Sequence, residues 1–140
     1  YRLGLDGLDL QMYPNLSALW EGWTKNWFLG LEANVAKALA ASAVVVLMFS
    51  GPWLLAPAAG VLLLVAPEQT LWWQGLLLLA GLGIAMQAAL RLWSRAQFEL
   101  PMRWWWLMGL GGLLVGAIGP VSTWRSLTGQ GWTWKGRSLA

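Results

Sequence analysis

The sequence predicts an all-α integral membrane protein, with an amphipathic helix at the membrane interface followed by two to four membrane segments. Apolar residues make up 58% of the 140-residue chain and charged residues only 11%, a composition far from that of soluble domains. Long apolar runs alternate with short polar turns. The chain also contains 13 tryptophans, and this residue concentrates at the headgroup level of bilayers.

The composition also excludes several kinds of chemistry. The chain contains no cysteine and no histidine, so it offers no thiol chemistry, no histidine acid–base catalysis, no cysteine ligand for zinc or iron and no histidine ligand for haem or chlorophyll. Its net charge of +3 comes mostly from basic residues beside apolar runs. This arrangement favours contact with anionic lipid headgroups, and nothing in the sequence indicates nucleic acid as a partner.

Residues 1–14 are predicted to form a strand or a short β-hairpin. The dipeptide Asp6-Gly7 favours a tight turn, and apolar and polar residues then alternate up to Tyr13. A lone hairpin is marginal in water, so we expect it to complete a sheet in an upstream domain or in a partner. The chain begins with Tyr1 and shows no signal peptide, which suggests that it is part of a longer protein.

Residues 15–34 are predicted to form an amphipathic helix, for which Asn15 is a suitable N-cap. On a 3.6-residue period, a tryptophan-rich apolar stripe lies opposite a charged face. The stripe comprises Leu16, Leu19, Trp20, Trp23, Trp27 and Leu31, and the charged face comprises Glu21, Lys25 and Glu32. Because tryptophan suits the boundary between acyl chains and water, we expect this helix to lie on the membrane. The alternative is a core-facing helix of a soluble domain.

Residues 35–120 are predicted to contain the membrane segments. The first segment, 35–65, is interrupted at Pro52, and it is either one long kinked span or a hairpin of two short segments. We favour one span that is broken near this proline. The second segment, 71–93, is the clearest transmembrane helix in the sequence, and the third is 104–120.

Small and polar residues predict contacts between these segments. Gln87 is expected to pack or to form a hydrogen bond between helices. A glycine stripe suited to close helix packing consists of Gly109, Gly112, Gly116 and Gly119. Because the segment 104–120 is short and rich in glycine, it either crosses the membrane or re-enters from one side. The connection around Glu68 lacks basic residues and should face away from the cytoplasm, so a re-entrant third segment would return the C-terminus to the cytoplasmic side.

Residues 121–140 form a short basic tail that is rich in tryptophan. The residues from Trp132 to Lys135 alternate like a short strand. Lys135 and Arg137 are candidates for contact with a phosphate, from either a nucleotide diphosphate or a lipid headgroup. A simple interfacial anchor of tryptophan, lysine and arginine side chains explains the same residues equally well.

Three motifs occur in order along the chain: Met12-Tyr13, Trp-Glu-Gly-Trp-Thr-Lys-Asn from Trp20 to Asn26, and Thr-Trp-Lys-Gly-Arg from Thr133 to Arg137. With the apolar segments between them, they resemble the C-terminal part of bacterial family 2 membrane glycosyltransferases. The most similar branch is the one associated with glycosylation of lipids and carotenoids. These relatives usually carry arginine just before Met-Tyr, whereas this chain has Gln11.

The resemblance implies a cytoplasmic GT-A catalytic domain upstream, which uses a divalent metal and a nucleotide-diphosphate sugar. This chain would then have no catalytic or metal-binding residue and would provide membrane placement and the path of a lipid-soluble acceptor. Side chains near the active-site mouth would be Trp20, Glu21, Trp23, Lys25 and Asn26, while Lys135 and Arg137 would contact a diphosphate or a headgroup. The implied partners are membrane lipids, the hydrophobic acceptor and the upstream domain, in a bacterial inner or photosynthetic membrane.

A second interpretation is a non-catalytic accessory subunit of a larger membrane complex, such as a photosynthetic one. The tryptophan-rich faces and the glycine stripe would then pack against partner helices, lipids or pigments. The sequence upstream distinguishes the two, because an α/β domain of about 200 residues with paired aspartates at a strand end favours the enzyme. A start codon within a few residues upstream of Tyr1 favours the subunit. A small transporter is disfavoured, since no ionisable residue lies at mid-depth of a span.

Overall fold

A computed structural model describes residues 13–130 and the backbone of residues 132–134 and 137–139. Helices dominate these residues, in agreement with the predicted helical membrane class. The α helices are α1 (Leu16–Gly30), α2 (Val35–Val45), α3 (Gly51–Val65), α4 (Thr70–Phe98) and α5 (Met108–Leu127), with a π-helical segment at Val46–Ser50 and 3-10 helices at Pro67–Gln69 and Met102–Leu107. The predicted N-terminal hairpin falls almost entirely on residues 1–12, which lie outside the described residues.

Three helical stretches of the described chain are long and apolar enough to cross a membrane: Val35–Val65, Pro67–Phe98 and Met102–Leu127. They contain 31, 32 and 26 residues, and at about 1.5 Å per residue each reaches the roughly 30 Å of the hydrocarbon core. Their length and composition support a membrane protein with membrane-spanning helices. The helix α1 is not among them, because it has only 15 residues and ends at a turn.

The stretch Val35–Val65 is one continuous helix and not a hairpin of two short segments. The helix passes from α2 through the π-helical segment, in which the Gly51 N–H bonds the Val46 carbonyl, and continues as α3. Pro52 is the second residue of α3 and has no N–H, so it cannot pair with the Met48 carbonyl four residues earlier. The irregularity predicted near this proline therefore takes the form of a π-helical turn just before it.

Gln87 on α4 forms hydrogen bonds with backbone groups of this irregular segment. Its Nε2 donates to the carbonyls of Met48 and Phe49, at 2.8 Å and 3.0 Å. Its Oε1 accepts from Trp53 Nε1 at 2.8 Å, and the side chain is only 5% exposed. An unpaired carbonyl costs several kcal/mol in a medium without water, so these bonds stabilise the π-helical segment and attach α4 to it.

The helix α4 packs antiparallel to α3. Near its start, Trp73 Nε1 donates to the Ala66 carbonyl just beyond α3, at 3.0 Å. Farther along α4, a Cβ added to Gly83 would lie 2.6 Å from Cγ of Pro52, near the start of α3. The helix also extends beyond the predicted end at residue 93, because it continues to Phe98 before the chain turns.

The helix α5 packs antiparallel to α2 and the π-helical segment through its glycines. In chain order, the glycines and the nearest partners of an added Cβ are Gly109 with Trp53, Gly112 with Ser50, Gly116 with Val46, and Gly119 with Ser42. The residue number of the partner falls as that of the glycine rises, so the two helices run in opposite directions. All four distances are between 1.9 and 2.7 Å, so any larger residue would push the helices apart. The Ser50 hydroxyl also donates to the Gly109 carbonyl at 2.6 Å.

This register differs from that of a chain that simply crosses the membrane three times, in which the first and third helices run parallel. Here α5 begins beside Trp53, midway along Val35–Val65, and runs back towards α1. The described end of α5 therefore lies beside α1, as in the re-entrant arrangement considered from the sequence. The helix also passes through Pro120 to Leu127, beyond the predicted end at residue 120.

After α5, Gly129 adopts a left-handed conformation with φ 66°. The backbone of Trp132–Trp134 then pairs antiparallel with that of Arg137–Leu139, with Thr133 opposite Ser138. The first of these strands coincides with the alternation seen in the sequence of the tail.

We expect Gln87→Leu to destabilise the fold by about 1–3 kcal/mol, because it leaves two carbonyls and one indole N–H without their partner. Thermal unfolding of the protein in detergent would measure the loss. The matched control is Gln74→Leu, at an exposed position of the same helix, which should unfold like the unmodified protein. Equal melting of the two variants would contradict the role assigned to Gln87.

Candidate functional site

Two asparagines define where α1 begins and where the next helix starts. The Asn15 Oδ1 accepts a hydrogen bond from the Ala18 N–H at 2.9 Å, so Asn15 is the predicted N-cap of α1. The Asn34 Oδ1 accepts from the Lys37 N–H at 3.0 Å and caps α2 in the same way. These caps pair N–H groups that would otherwise be left open in the first turn of each helix.

The turn between α1 and α2 is fixed by backbone conformation and by side chains. Glu32 and Ala33 have φ values of 61° and 51°, a left-handed conformation that non-glycine residues seldom adopt. The Lys37 ammonium pairs with the Glu32 carboxylate across the turn. In addition, Trp27 Nε1 donates to the Ala38 carbonyl at 3.3 Å. The direction of α1 relative to α2 is therefore set by several contacts.

The hydroxyl of Ser122 on α5 attaches that helix to α1. It accepts from the Phe28 N–H at 3.0 Å and donates to the Thr24 carbonyl. These two backbone groups would pair with each other in an uninterrupted α helix, so the hydroxyl stands between them. Thr24 and Ser122 are fully buried, which allows the two helices to approach closely.

The buried face of α1 is not its tryptophan stripe. The buried residues of this helix are Thr24 and Phe28, whereas the predicted stripe lies beside that face. Within the stripe, Leu16 is 68% and Trp23 is 44% exposed. Hydrophobic periodicity missed the contact with α5, because a polar threonine forms its centre and the phenylalanine lies off the stripe.

An open groove of about 600 Å³ runs along the stripe side of α1. Its lining residues are Tyr13, Leu19, Gly22, Trp23, Asn26, Trp27, Gly30, Leu31 and Ala41. Most of these residues are apolar or glycine. Among the lining side chains, Asn26 contributes an amide and Tyr13 a hydroxyl. The groove therefore suits an elongated apolar molecule with few polar groups.

Two glycines of α1 shape this groove in different ways. A Cβ added to Gly22 would lie 2.8 Å from Cε1 of Tyr13, so the tyrosine ring lies directly on the helix backbone there. Apart from its chain neighbours and the nearby backbone of α1, no atom lies within 4 Å of a Cβ added to Gly30. A side chain at that position would therefore extend into the open groove without displacing a neighbour.

The structure brings two of the five residues predicted at an active-site mouth into this groove, namely Trp23 and Asn26. Trp20 is half-buried and does not line the groove. Glu21 and Lys25 are half-buried on the charged side of α1. The five residues therefore belong to different faces of the helix and cannot all contact one ligand in the groove.

Lys135 lies outside the described residues, and only the backbone of Arg137 is described, so their contact with a phosphate stays a prediction. The register of α5 shows where the tail leaves the bundle. Gly119 lies beside Trp27, and Ser122 contacts Thr24 one turn earlier in α1. The end of α5 therefore points towards the first turns of α1, where the preceding chain also joins.

We expect Ser122→Ala to loosen the attachment of α1 to α5, because the Thr24 carbonyl and the Phe28 N–H lose the hydroxyl between them. Hydrogen exchange of the α1 amides should become about fivefold faster, which corresponds to a net loss of about 1 kcal/mol, as expected when the two bonds of the hydroxyl are lost and the Phe28 N–H can return to the Thr24 carbonyl. The control is Ser126→Ala, since the buried Ser126 hydroxyl has no hydrogen-bond partner in the described part of the chain. Equal exchange in the two variants would contradict this role of Ser122.

Comparison with family models, with curated proteins and with solved structures finds no match for this chain. In the described part of the chain, no cluster of three or more carboxylates could hold a metal ion. The open apolar groove beside α1 lies at the end of the bundle to which α5 returns.

Proposed function

We propose that this chain is the membrane part of a glycosyltransferase that moves a sugar from a nucleotide-diphosphate sugar to a lipid-soluble acceptor. The groove beside α1 would be the path of the acceptor, and the catalytic domain would precede α1. One observation carries the proposal. The helix that bears the Trp-Glu-Gly-Trp-Thr-Lys-Asn motif also forms one wall of an open, almost entirely apolar groove.

The size and lining of the groove support an acceptor with a long apolar body. A volume of about 600 Å³ falls within the usual range of small-molecule sites. Apolar area removed from water contributes roughly 25 cal/mol per Å² to binding, and the indoles of Trp23 and Trp27 offer flat surfaces for a chain or a polyene. The Asn26 amide could hydrogen-bond a hydroxyl of the acceptor and so orient its reactive end.

The register of the helices supports a catalytic domain at one end of the groove. The start of α1 and the end of α5 lie side by side, so chain that precedes Tyr13 and chain that follows Leu127 would meet at this end. A domain there would hold the sugar donor next to an acceptor in the groove. In this arrangement Lys135 and Arg137 would be available to contact the diphosphate of the donor.

The distribution of charge supports a cytoplasmic position for the α1 end. The turn before α4 contains Glu68 and no basic residue, whereas Arg91 and Arg95 follow at the other end of that helix. Both α4 and α5 run back towards the N-terminal side of the long helix Val35–Val65. By the positive-inside rule, this side would face the cytoplasm, as expected for the upstream domain.

The residues of this chain would bind and orient the acceptor, and the bond-making groups would be upstream. In the transfer, the acceptor hydroxyl would attack the anomeric carbon of the donor and lose its proton to a base of the upstream domain, while the bond from that carbon to the nucleoside diphosphate breaks. The described residues contain no cluster of ligands for the divalent metal that the resemblance implies. Its ligands would belong to the upstream domain.

The test is Gly30→Phe in the full-length protein in membranes. The phenyl ring should occupy the groove without a clash, since the space around Gly30 is open and its φ is not left-handed. We expect the apparent KM for a lipid-soluble acceptor to rise about tenfold, because the added ring weakens acceptor binding. Hydrolysis of the donor sugar without acceptor should be unchanged.

The control is Gly75→Phe, since Gly75 is exposed on α4 and equally open. If both variants transfer sugar equally well, the groove is not the acceptor path. If the unmodified full-length protein shows no transfer that depends on a nucleotide sugar, the proposal fails and the accessory-subunit interpretation is favoured.

A further inference from the structure

The length of the apolar part of α4 sets where its two ends lie in a membrane. The residues from Leu71 to Leu90 are without charge, and at 1.5 Å per residue they extend about 30 Å, which is the thickness of the hydrocarbon core. The first charged side chain after them is Arg91. Both ends of this stretch are therefore expected at the level of the lipid headgroups.

Exposed tryptophans occur at both ends. Trp72, at the start of α4, is 75% exposed. At the other end, we define the elbow as residues 91–106, which comprise the last turns of α4 and most of the 3-10 helix Met102–Leu107. Trp93 and Trp104 of the elbow are 56% and 48% exposed. Anchoring by indole rings at the interface is therefore common to both ends.

The two ends differ in charge. The turn before α4 has Glu68 as its charged residue, whereas three arginines and one glutamate occupy the elbow. These residues are Arg91, Arg95, Arg103 and Glu99. Three positive charges and one negative charge give the elbow a net charge of +2. Only this end of the apolar stretch would therefore attract an anion.

Contacts within the elbow hold two of its three cations, Arg91 and Arg103, in place. Arg91 donates from Nε and Nη2 to the Pro101 carbonyl, at 3.2 Å and 2.7 Å, and so fixes the turn. The Arg103 guanidinium lies 4.5 Å from the centre of the Trp104 ring. A cation over an exposed indole is held at the depth where that indole prefers to lie. Arg95 and Arg103 are themselves exposed.

We propose that the elbow binds the phosphate of anionic phospholipids, with Arg95 and Arg103 as the contacting residues. The planar guanidinium groups suit the phosphate oxygens, while the neighbouring indoles and Phe98 contact the acyl chains. This site is separate from the groove beside α1 and does not depend on the proposed glycosyltransferase function.

The test is photocrosslinking of the full-length protein in nanodiscs made of equal amounts of phosphatidylcholine and phosphatidylglycerol. Benzoylphenylalanine replaces Gln97 in the elbow or, as a control, Gln69 at the other end of α4; both positions are exposed. We expect the ratio of phosphatidylglycerol to phosphatidylcholine adducts, measured by mass spectrometry, to be about threefold higher at position 97, as one or two cations near anionic lipid would produce.

The double variant Arg95→Gln and Arg103→Gln should bring this ratio down to that at position 69. Lys37→Gln, which removes a cation outside the elbow, should leave it unchanged. High salt should also lower the ratio in the protein with intact arginines, because salt screens exposed charges; this measurement needs no folded double variant. Equal ratios at the two positions, or a ratio that both high salt and the double variant leave unchanged, would overturn the proposal.

Discussion

The hydrogen bonds of Gln87 are the constraint on which the rest of the bundle depends. Pro52 removes a backbone donor from the long helix Val35–Val65, and lipid cannot replace that donor for the carbonyls of the π-helical turn before it. One amide from α4 satisfies two of these carbonyls and also accepts from Trp53. The same side chain thus pairs backbone groups of the long helix and fixes the position of α4 beside it. An irregularity in one helix becomes the point at which two helices are joined.

The glycines of α5 determine how the remaining helices assemble around that point. Because Gly109 meets Trp53 and Gly119 meets Ser42, α5 runs back along the first half of the long helix. The bundle therefore consists of two antiparallel pairs, α3 with α4 and α2 with α5, which share the region around Ser50. This pairing brings the end of α5 to α1 and leaves the tryptophan-bearing side of α1 open as a groove.

Features that depend on neighbouring residues could be predicted from the sequence. Asn15 was recognisable as a cap, Pro52 as a break and Gln87 as a polar group between helices, because each acts through chemistry visible in a short window. The contact of Ser122 with α1 could not be predicted, because its two partners, Phe28 and Thr24, lie 94 and 98 positions earlier in the chain. Periodicity identified the apolar stripe of α1 but not its buried face, which depends on small polar residues. Likewise, Trp23 and Asn26 share the groove, whereas helical geometry directs Glu21 and Lys25 elsewhere.

The insertion of Ser122 into α1 has a mechanical consequence. A helix whose backbone bond is bridged by a foreign hydroxyl cannot rotate about its axis without breaking two hydrogen bonds at once. Trp27, which lines the groove, is adjacent to Phe28 in the chain. The hydroxyl therefore fixes the rotational setting of α1, and with it the direction in which the indole of Trp27 faces the groove.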